Sequence, residues 1–216
     1  MRGGSPARPP YAPASALTSA AVAAAGILDA GPSTIGKPSS VIRLEPSGGW
    51  ELARAGVFDR AYIERRIRKI ILFVCTGNTC RSPMAAAIAA GLLAEPGAPG
   101  RIPAHALSAG VTAGDGAPPT IEGVRAVGAL GYRGPAGTSK ALTRQMVREA
   151  DVIFAMTNAH LDGVLRLDPA AAAKAGVLDP AGRDIADPIG GPPGLYASLA
   201  RSMQEMIRTR LKEQGA

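Results

Sequence analysis

Apolar residues are spread unevenly along this chain, and their spacing alternates between continuous runs and a helical period. Ile70-Ile71-Leu72-Phe73-Val74 is unbroken by any polar residue, the pattern of a strand buried on both faces of a parallel sheet. Ser82-Pro83 then supplies an N-cap and a first-turn proline, and helix formers run from Met84 to Leu93 until Pro96-Gly97 stops them. The alternation repeats. His105 to Ser108 reads as a second short strand, followed by a helix from Pro119 to Leu130 bearing Ile121, Val124, Val127 and Leu130. A short helix over Arg144 to Glu149, an apolar strand over Val152 to Met156 and a helix over Ala159 to Leu167 come next. The last helix, Leu195 to Glu213, sets Leu195, Leu199, Met203, Met206, Ile207 and Leu211 at spacings of about 3.6 residues. Strands and helices in this order predict an α/β fold built on a doubly wound parallel sheet.

The pattern before Ile70 is weaker. Residues 1–15 are rich in Pro, Gly and Ala without periodicity and predict a disordered leader. A short Ala-rich helix is expected from Ser15 to Gly26, with turn chemistry over Asp29 to Gly36. Val41 to Leu44 and Glu51 to Arg54 read as two short strands around a Gly48-Gly49 turn. Tyr62 to Lys69 is a basic helix or linker. The run Ala20 to Leu28 falls short of the ~20 apolar residues a membrane helix needs, and Asp29-Ala30-Gly31-Pro32 after it does not resemble a signal-peptide cleavage site. No membrane role is therefore expected.

Composition narrows the function classes. The net charge is +7, but residues 1–69 hold 10 Lys+Arg against 5 Asp+Glu, whereas residues 70–216 hold 14 against 12. No dense basic stripe interleaved with aromatics accompanies the excess, and Arg65, Arg66, Arg68 and Lys69 read as a solvated helix face, which argues against nucleic acid as a partner. Two cysteines five residues apart cannot make a secreted disulfide framework and fit a reducing cytoplasm. His105 and His160 are the only histidines and have no metal-ligand spacing. Both are expected to be structural, and neither a metal nor an organic cofactor is implied.

The candidate chemistry lies in Cys75-Thr76-Gly77-Asn78-Thr79-Cys80-Arg81-Ser82, which joins the end of a buried strand to the start of a helix. Open α/β sheets bind ligands at such junctions. A tight loop there turns successive backbone N–H groups inward, beside the positive end of the helix dipole, and makes a cradle for phosphate. A cysteine at its mouth shares that stabilisation as a nucleophilic thiolate, and Arg81, six residues on, can return to grip two phosphate oxygens with its planar fork.

Val74 to Met84, VCTGNTCRSPM, resembles the phosphate loop of the low-molecular-weight protein-tyrosine-phosphatase family. The likeness extends over Ile70 to Gln214, through Ser108-Ala109-Gly110 and Asp184-Ile185-Ala186-Asp187-Pro188. It implies a four-stranded parallel sheet with helices on both faces and a cysteinyl-phosphate mechanism acting on phosphorylated protein. In that scheme Cys75 attacks phosphorus, Arg81 clamps the equatorial oxygens, and Asp187 protonates the leaving atom and then activates water. Thr76, Gly77, Asn78, Thr79, Cys80 and Ser82 would complete the phosphate site, with Asn78 and Ser82 supporting loop and thiolate. Cys80 would also protect Cys75 by forming a disulfide when the nucleophile is oxidised. Asp184 is read as a solvated loop charge.

Two departures bear on the substrate. Thr79 replaces a branched aliphatic, and Ile189-Gly190 follows Asp187-Pro188 where tyrosine-specific members place aromatics. Together with the loop sequence, these features are most similar to the bacterial protein-arginine-phosphatase branch, which implies phosphoarginine, with phosphotyrosine as the alternative. Leu28 to Phe58 is similar to the end of a threonylcarbamoyl-AMP synthase domain, implying a partial segment over 16–60, a basic linker over 61–69 and a phosphatase domain over 70–214. That arrangement is expected of a truncated fusion or of a start placed late. A non-catalytic remnant binding nucleotide or tRNA through its N-terminal segment is the rival from another class. Thiol-dependent arsenate reduction, which would need cysteines beyond Cys80, is a second rival.

Overall fold

The computed structural model describes residues 35–45, 49–95 and 103–214. The expected leader, the helix from Ser15 to Gly26, most of the Asp29 to Gly36 turn, Gly48 of the hairpin turn and the stop at Pro96-Gly97 lie outside these residues. The chain divides into two units, Met1–Arg66 and Ile67–Ala216.

In the first unit, β1 (Val41–Leu44) pairs antiparallel with β2 (Trp50–Arg54), matching Leu44 to Trp50 and Arg43 to Glu51. The Ser40 hydroxyl accepts the N–H groups of Gly56 and Phe58 and donates to Phe58 O, tying the strand ends together. Helix α1 (Arg60–Arg66) starts where Asp59 Oδ1 accepts from Tyr62 N–H at 2.7 Å. The basic stretch expected over Tyr62 to Lys69 is thus helix as far as Arg66, while Lys69 already belongs to the next strand.

The second unit holds β3 (Lys69–Cys75), α2 (Arg81–Leu93), β4 (Ala104–Gly110), α3 (Ile121–Gly128), α4 (Arg144–Glu149), β5 (Val152–Ala155), α5 (Asn158–Leu167), β6 (Ala175–Val177) and α6 (Pro193–Glu213). Its four strands lie in the order β4-β3-β5-β6, all parallel. Alternate residues of β3 serve opposite cores: Ile71, Phe73 and Cys75 face the layer of α2, α3 and α6, whereas Leu72 and Val74 face Val147 of α4 and Val164 of α5. Both sets are buried, which explains the unbroken apolar run. From β3 the chain goes first to β4 on one side and then across to β5 on the other, so the switch point lies at the carboxyl end of β3.

Three helices differ from the sequence reading, and the strand β6 was not read from it at all. Helix α2 begins at Arg81 with Cys80 at its N-cap and no side-chain cap, so Ser82 is not the cap; its hydroxyl is engaged elsewhere. In α3 the buried residues are Gly123, Ala126 and Val127, while Ile121 and Val124 are exposed. In α6 the buried stripe is Tyr196, Ala200, Met203, Ile207 and Leu211, which leaves Leu195 in solvent. Strand β6, only Ala-Gly-Val, is held by Arg210 of α6, whose Nη2 donates to Val177 O at 2.9 Å and whose guanidinium lies over the Phe154 ring. Among the described residues no helix is long and apolar enough to cross a membrane.

Candidate active site

Cys75 ends β3 directly opposite Gly110 of β4, and the chain then folds into a tight loop over the start of α2. The turn depends on Asn78, which takes a left-handed φ of 52°, a conformation that Asn tolerates better than most residues. Its buried amide secures the loop from both ends: Oδ1 accepts the Lys140 N–H at 2.9 Å and Nδ2 donates to Ser82 Oγ at 2.9 Å. The end of β4 approaches so closely that a Cβ on Gly110 would lie 2.4 Å from Thr76 O and 2.8 Å from Asn78 N. The Ser108-Ala109-Gly110 signature therefore has a steric cause, because only glycine lets the strand support the loop backbone.

Cys75 is buried, and its Sγ lies 2.9 Å from Ser82 Oγ. The same hydroxyl lies 3.2 Å from Ala109 O. One hydroxyl proton thus has two acceptors, the carbonyl when the sulfur is a thiol and the sulfur when it is a thiolate. The first turn of α2 contains no acidic side chain of its own, so no residue of the helix offsets its positive end where it meets the loop.

Arg81 is the first residue of α2 and is only 5% exposed. Its Nη1 donates to Ile185 O at 3.0 Å, and its Nη2 donates to Thr76 Oγ1 at 3.2 Å and to Asp187 Oδ2 at 2.5 Å. Nε is buried and has no partner among the described residues. Asp187 reaches Arg81 because Ile185 N–H bonds to Met156 O at 2.8 Å, pinning its loop to the end of β5. Its other oxygen accepts the Ile189 N–H. The structure thus brings Arg81 to Asp187 and Cys75 to Ser82 around a single loop.

The remaining expected residues divide between loop and surroundings. Thr79 O accepts the Thr120 N–H at 2.8 Å, so the loop is tied to the start of α3. Burial pushes the Cys80 thiol up to about 11, against a hydrogen bond with Tyr196 that acts in the opposite sense, so Cys80 is a neutral thiol facing α6. A Cβ on Gly77 would come no nearer than 3.8 Å, to Thr79 Oγ1, so close packing is not what requires glycine there. Asp184 is exposed, as expected of a solvated loop charge, and in addition its Oδ1 accepts from Asn158 N–H at 2.7 Å and from Asn158 Nδ2 at 2.8 Å, fixing the start of α5.

His160, read from sequence as structural, adjoins the loop. Its Nε2 lies 2.7 Å from Thr76 Oγ1 and its Nδ1 2.8 Å from Thr157 Oγ1. Burial, reinforced by the charge of Arg81, holds the imidazole below its ordinary value. The signal for its place was available in the strand-turn-helix run after β5, which opens at the same edge of the sheet as the loop after β3. Nothing in the sequence could have indicated the Ile185 carbonyl or the Lys140 N–H.

The loop thus carries a buried thiol at its start, a buried guanidinium at its end and a carboxylate bonded to that guanidinium. Comparison with known proteins agrees. The family model for low molecular weight phosphotyrosine protein phosphatase matches residues 70–214. The protein-arginine-phosphatase of Geobacillus stearothermophilus is 38% identical over 147 residues, covering 66% of this chain and 93% of that protein. The protein-arginine-phosphatase of Bacillus subtilis (strain 168) is 32% identical over 152 residues, covering 66% and 95%. Among solved structures, the YwlE arginine phosphatase from Geobacillus stearothermophilus superposes with a TM-score of 0.60 at 32% identity, covering 68% of this chain and 92% of that one. A cysteine-to-serine mutant of YwlE arginine phosphatase, with a phosphorylated active site serine, gives a TM-score of 0.60 at 29% identity, covering 66% and 95%. The low molecular weight protein tyrosine phosphatase from T. tengcongensis gives 0.60 at 32%, covering 67% and 99%.

Proposed function

The chain belongs to the low molecular weight phosphotyrosine protein phosphatase family, and from that premise we propose that it removes phosphate from arginine side chains of proteins through a phosphorylated Cys75. The Cys75 thiolate attacks phosphorus, forming the S–P bond as the P–N bond breaks. Asp187 donates its proton to the departing guanidine nitrogen, then takes one from the water that attacks the S–P bond. Inorganic phosphate leaves and the thiolate is restored, so the cycle needs no further reactant. Arg81 holds the equatorial oxygens on its Nε–Nη2 edge, and the backbone N–H groups of Thr76, Gly77, Asn78, Thr79, Cys80 and Ser82 hold the rest. The observation that carries this reading is the 2.9 Å approach of Ser82 Oγ to Cys75 Sγ, a hydroxyl that can donate to the sulfur where a thiolate must be stabilised. Turnover of a chromogenic aryl phosphate that Cys75→Ser abolishes tests it. Absence of turnover in the unmodified chain would reject it.

Phosphoarginine is chosen over phosphotyrosine on two residues. Thr79 presents a hydroxyl within the loop, and Ile189, 64% exposed beside Asp187, offers no ring on which a phenol could stack. The arginine phosphatases among its relatives support the same choice. Cys80 is assigned to redox protection, as the buried neutral thiol that would capture an oxidised Cys75. A cytoplasmic location fits two free cysteines.

Residues 28–58 are read as the end of a threonylcarbamoyl-AMP synthase domain that takes no part in catalysis, since every residue named above lies beyond Ile67. Deleting residues 1–60 is expected to leave activity within a few-fold of the full chain; loss of activity in a folded truncation would contradict this division.

A further inference from the structure

His160 is the third residue of α5, and its ring bridges two hydroxyls. Thr157 caps the helix, accepting the His160 backbone N–H at 3.2 Å, and lies 2.8 Å from Nδ1. On the other side Nε2 is 2.7 Å from Thr76 Oγ1, which also accepts from Arg81 Nη2 at 3.2 Å. The guanidinium charge fixes the sense of this chain. It repels the Thr76 hydroxyl proton, which therefore points away toward Nε2, and Nδ1–H then donates to Thr157. Each group donates to the next, from Arg81 through Thr76 and His160 to Thr157, and donors aligned in this way strengthen one another.

Two of the fork's partners are permanent and one is temporary. Ile185 O and Thr76 Oγ1 belong to the framework, whereas the Asp187 carboxylate holds Nη2, one of the two donors that phosphate must take, and leaves Nε without a partner among the described residues. Once phosphate displaces it, Thr76 is the neutral contact that still holds Nη2. We propose that His160 is a positioning residue for the phosphate clamp: as a neutral acceptor it draws the Thr76 hydroxyl proton and so keeps the Thr76 oxygen turned toward Arg81. This rests on the phosphatase reading above.

Protonation would undo the arrangement. With Nε2–H facing Thr76, the hydroxyl proton must leave its place and a second cation comes to stand beside Arg81. The charged groups facing the ring are Arg81 of α2 and, from the loop before α6, Asp187 and Asp184. Burial and Arg81 oppose the imidazolium and the two carboxylates favour it, with the balance toward the neutral ring.

The test is a double-mutant cycle in the full chain, reading kcat/KM for an aryl phosphate and inhibition by inorganic phosphate. At neutral pH, His160→Ala and Thr76→Val are each expected to weaken phosphate inhibition and lower kcat/KM by about tenfold, the scale of one hydrogen bond to a charged group. The double variant is expected to be no worse than the worse single one, because both changes cut the same chain. His160→Gln keeps an acceptor that cannot be protonated. It is expected to stay within about twofold of the unmodified enzyme at neutral pH and to extend the acid limb of kcat/KM to lower pH. If His160→Ala does not fold, His160→Gln carries the test through the pH measurement. Effects that multiply to about a hundredfold, or a pH profile identical in His160→Gln, overturn the proposal while leaving the phosphatase reading intact. An unmodified chain with neither turnover nor phosphate inhibition overturns that reading instead.

Discussion

Arg81 Nη2 stands 2.5 Å from Asp187 Oδ2, so the proposed phosphate clamp and proton donor are bonded to each other. A substrate phosphate has to take the guanidinium edge from the carboxylate. That exchange frees Asp187 beside the leaving atom at the moment it is needed. Asp187→Asn is accordingly expected to lower kcat by ~10²–10⁴, the usual contribution of a positioned acid, yet to leave inorganic phosphate bound as tightly as before or more tightly. Steady-state kinetics with phosphate as inhibitor checks both halves; weakened phosphate binding would show that the carboxylate does not compete for Arg81.

Cys75→Ser is expected to abolish turnover and to retain binding of tetrahedral oxyanions, because the cradle is made of backbone N–H groups and Arg81. Arg81→Lys is expected to lose most activity even though charge is kept, since an ammonium cannot span the distance from Ile185 O to Thr76 Oγ1 or present two parallel donors. Calorimetric titration with phosphate, beside a thermal melt to confirm folding, distinguishes these outcomes from collapse of the loop.

Substrate choice is tested at Thr79. A phosphoarginine peptide is expected to give a higher kcat/KM than its phosphotyrosine counterpart, and Thr79→Ile to reverse the order. The scale is ~1–3 kcal/mol in relative transition-state binding, as small pocket changes supply. If the unmodified enzyme prefers phosphotyrosine, or if Thr79→Ile leaves the ratio where it was, the arginine assignment gives way to tyrosine.

The His160 ring also ties stability to pH. Its folded value lies below the ordinary 6.5, so between the two values the unfolded chain binds the proton and the folded chain does not. Stability is then complete above about 6.5 and declines as pH falls through that window. Thermal melts are expected to show a smaller drop over the same interval in His160→Gln. An equal drop in both proteins would place the sensitivity elsewhere.

The sheet was legible in the sequence because β3 is buried on both faces, and nothing but an apolar run satisfies that position. The main candidate site could be read for a related reason: Cys75, Arg81 and the residues between them stand in one continuous stretch. Where the reading failed, local pattern and tertiary role diverged. Ser82 has the sequence of a helix cap, but its hydroxyl bonds the Cys75 sulfur. Ile121 and Val124 have helical spacing, yet Gly123 and Ala126 face inward, because α3 packs closely enough that a Cβ on Gly123 would meet Met84 at 3.2 Å. Strand β6 has three small residues and too little side chain to show a period. The place of His160 beside the loop was not legible in local pattern either, because its contact with Thr76 joins segments 84 positions apart.

The rotation of one hydroxyl at Ser82 has a consequence for the whole cycle. In the proposed cycle the negative charge on Cys75 moves to the phosphoryl group and later returns. Ser82 can answer each change by turning its proton from the sulfur to Ala109 O and back, since both acceptors already lie within 3.2 Å. No water has to enter and no ion has to be recruited. The interior beneath the nucleophile thus behaves as a solvent of one molecule, already oriented, whose reorganisation is a single bond rotation.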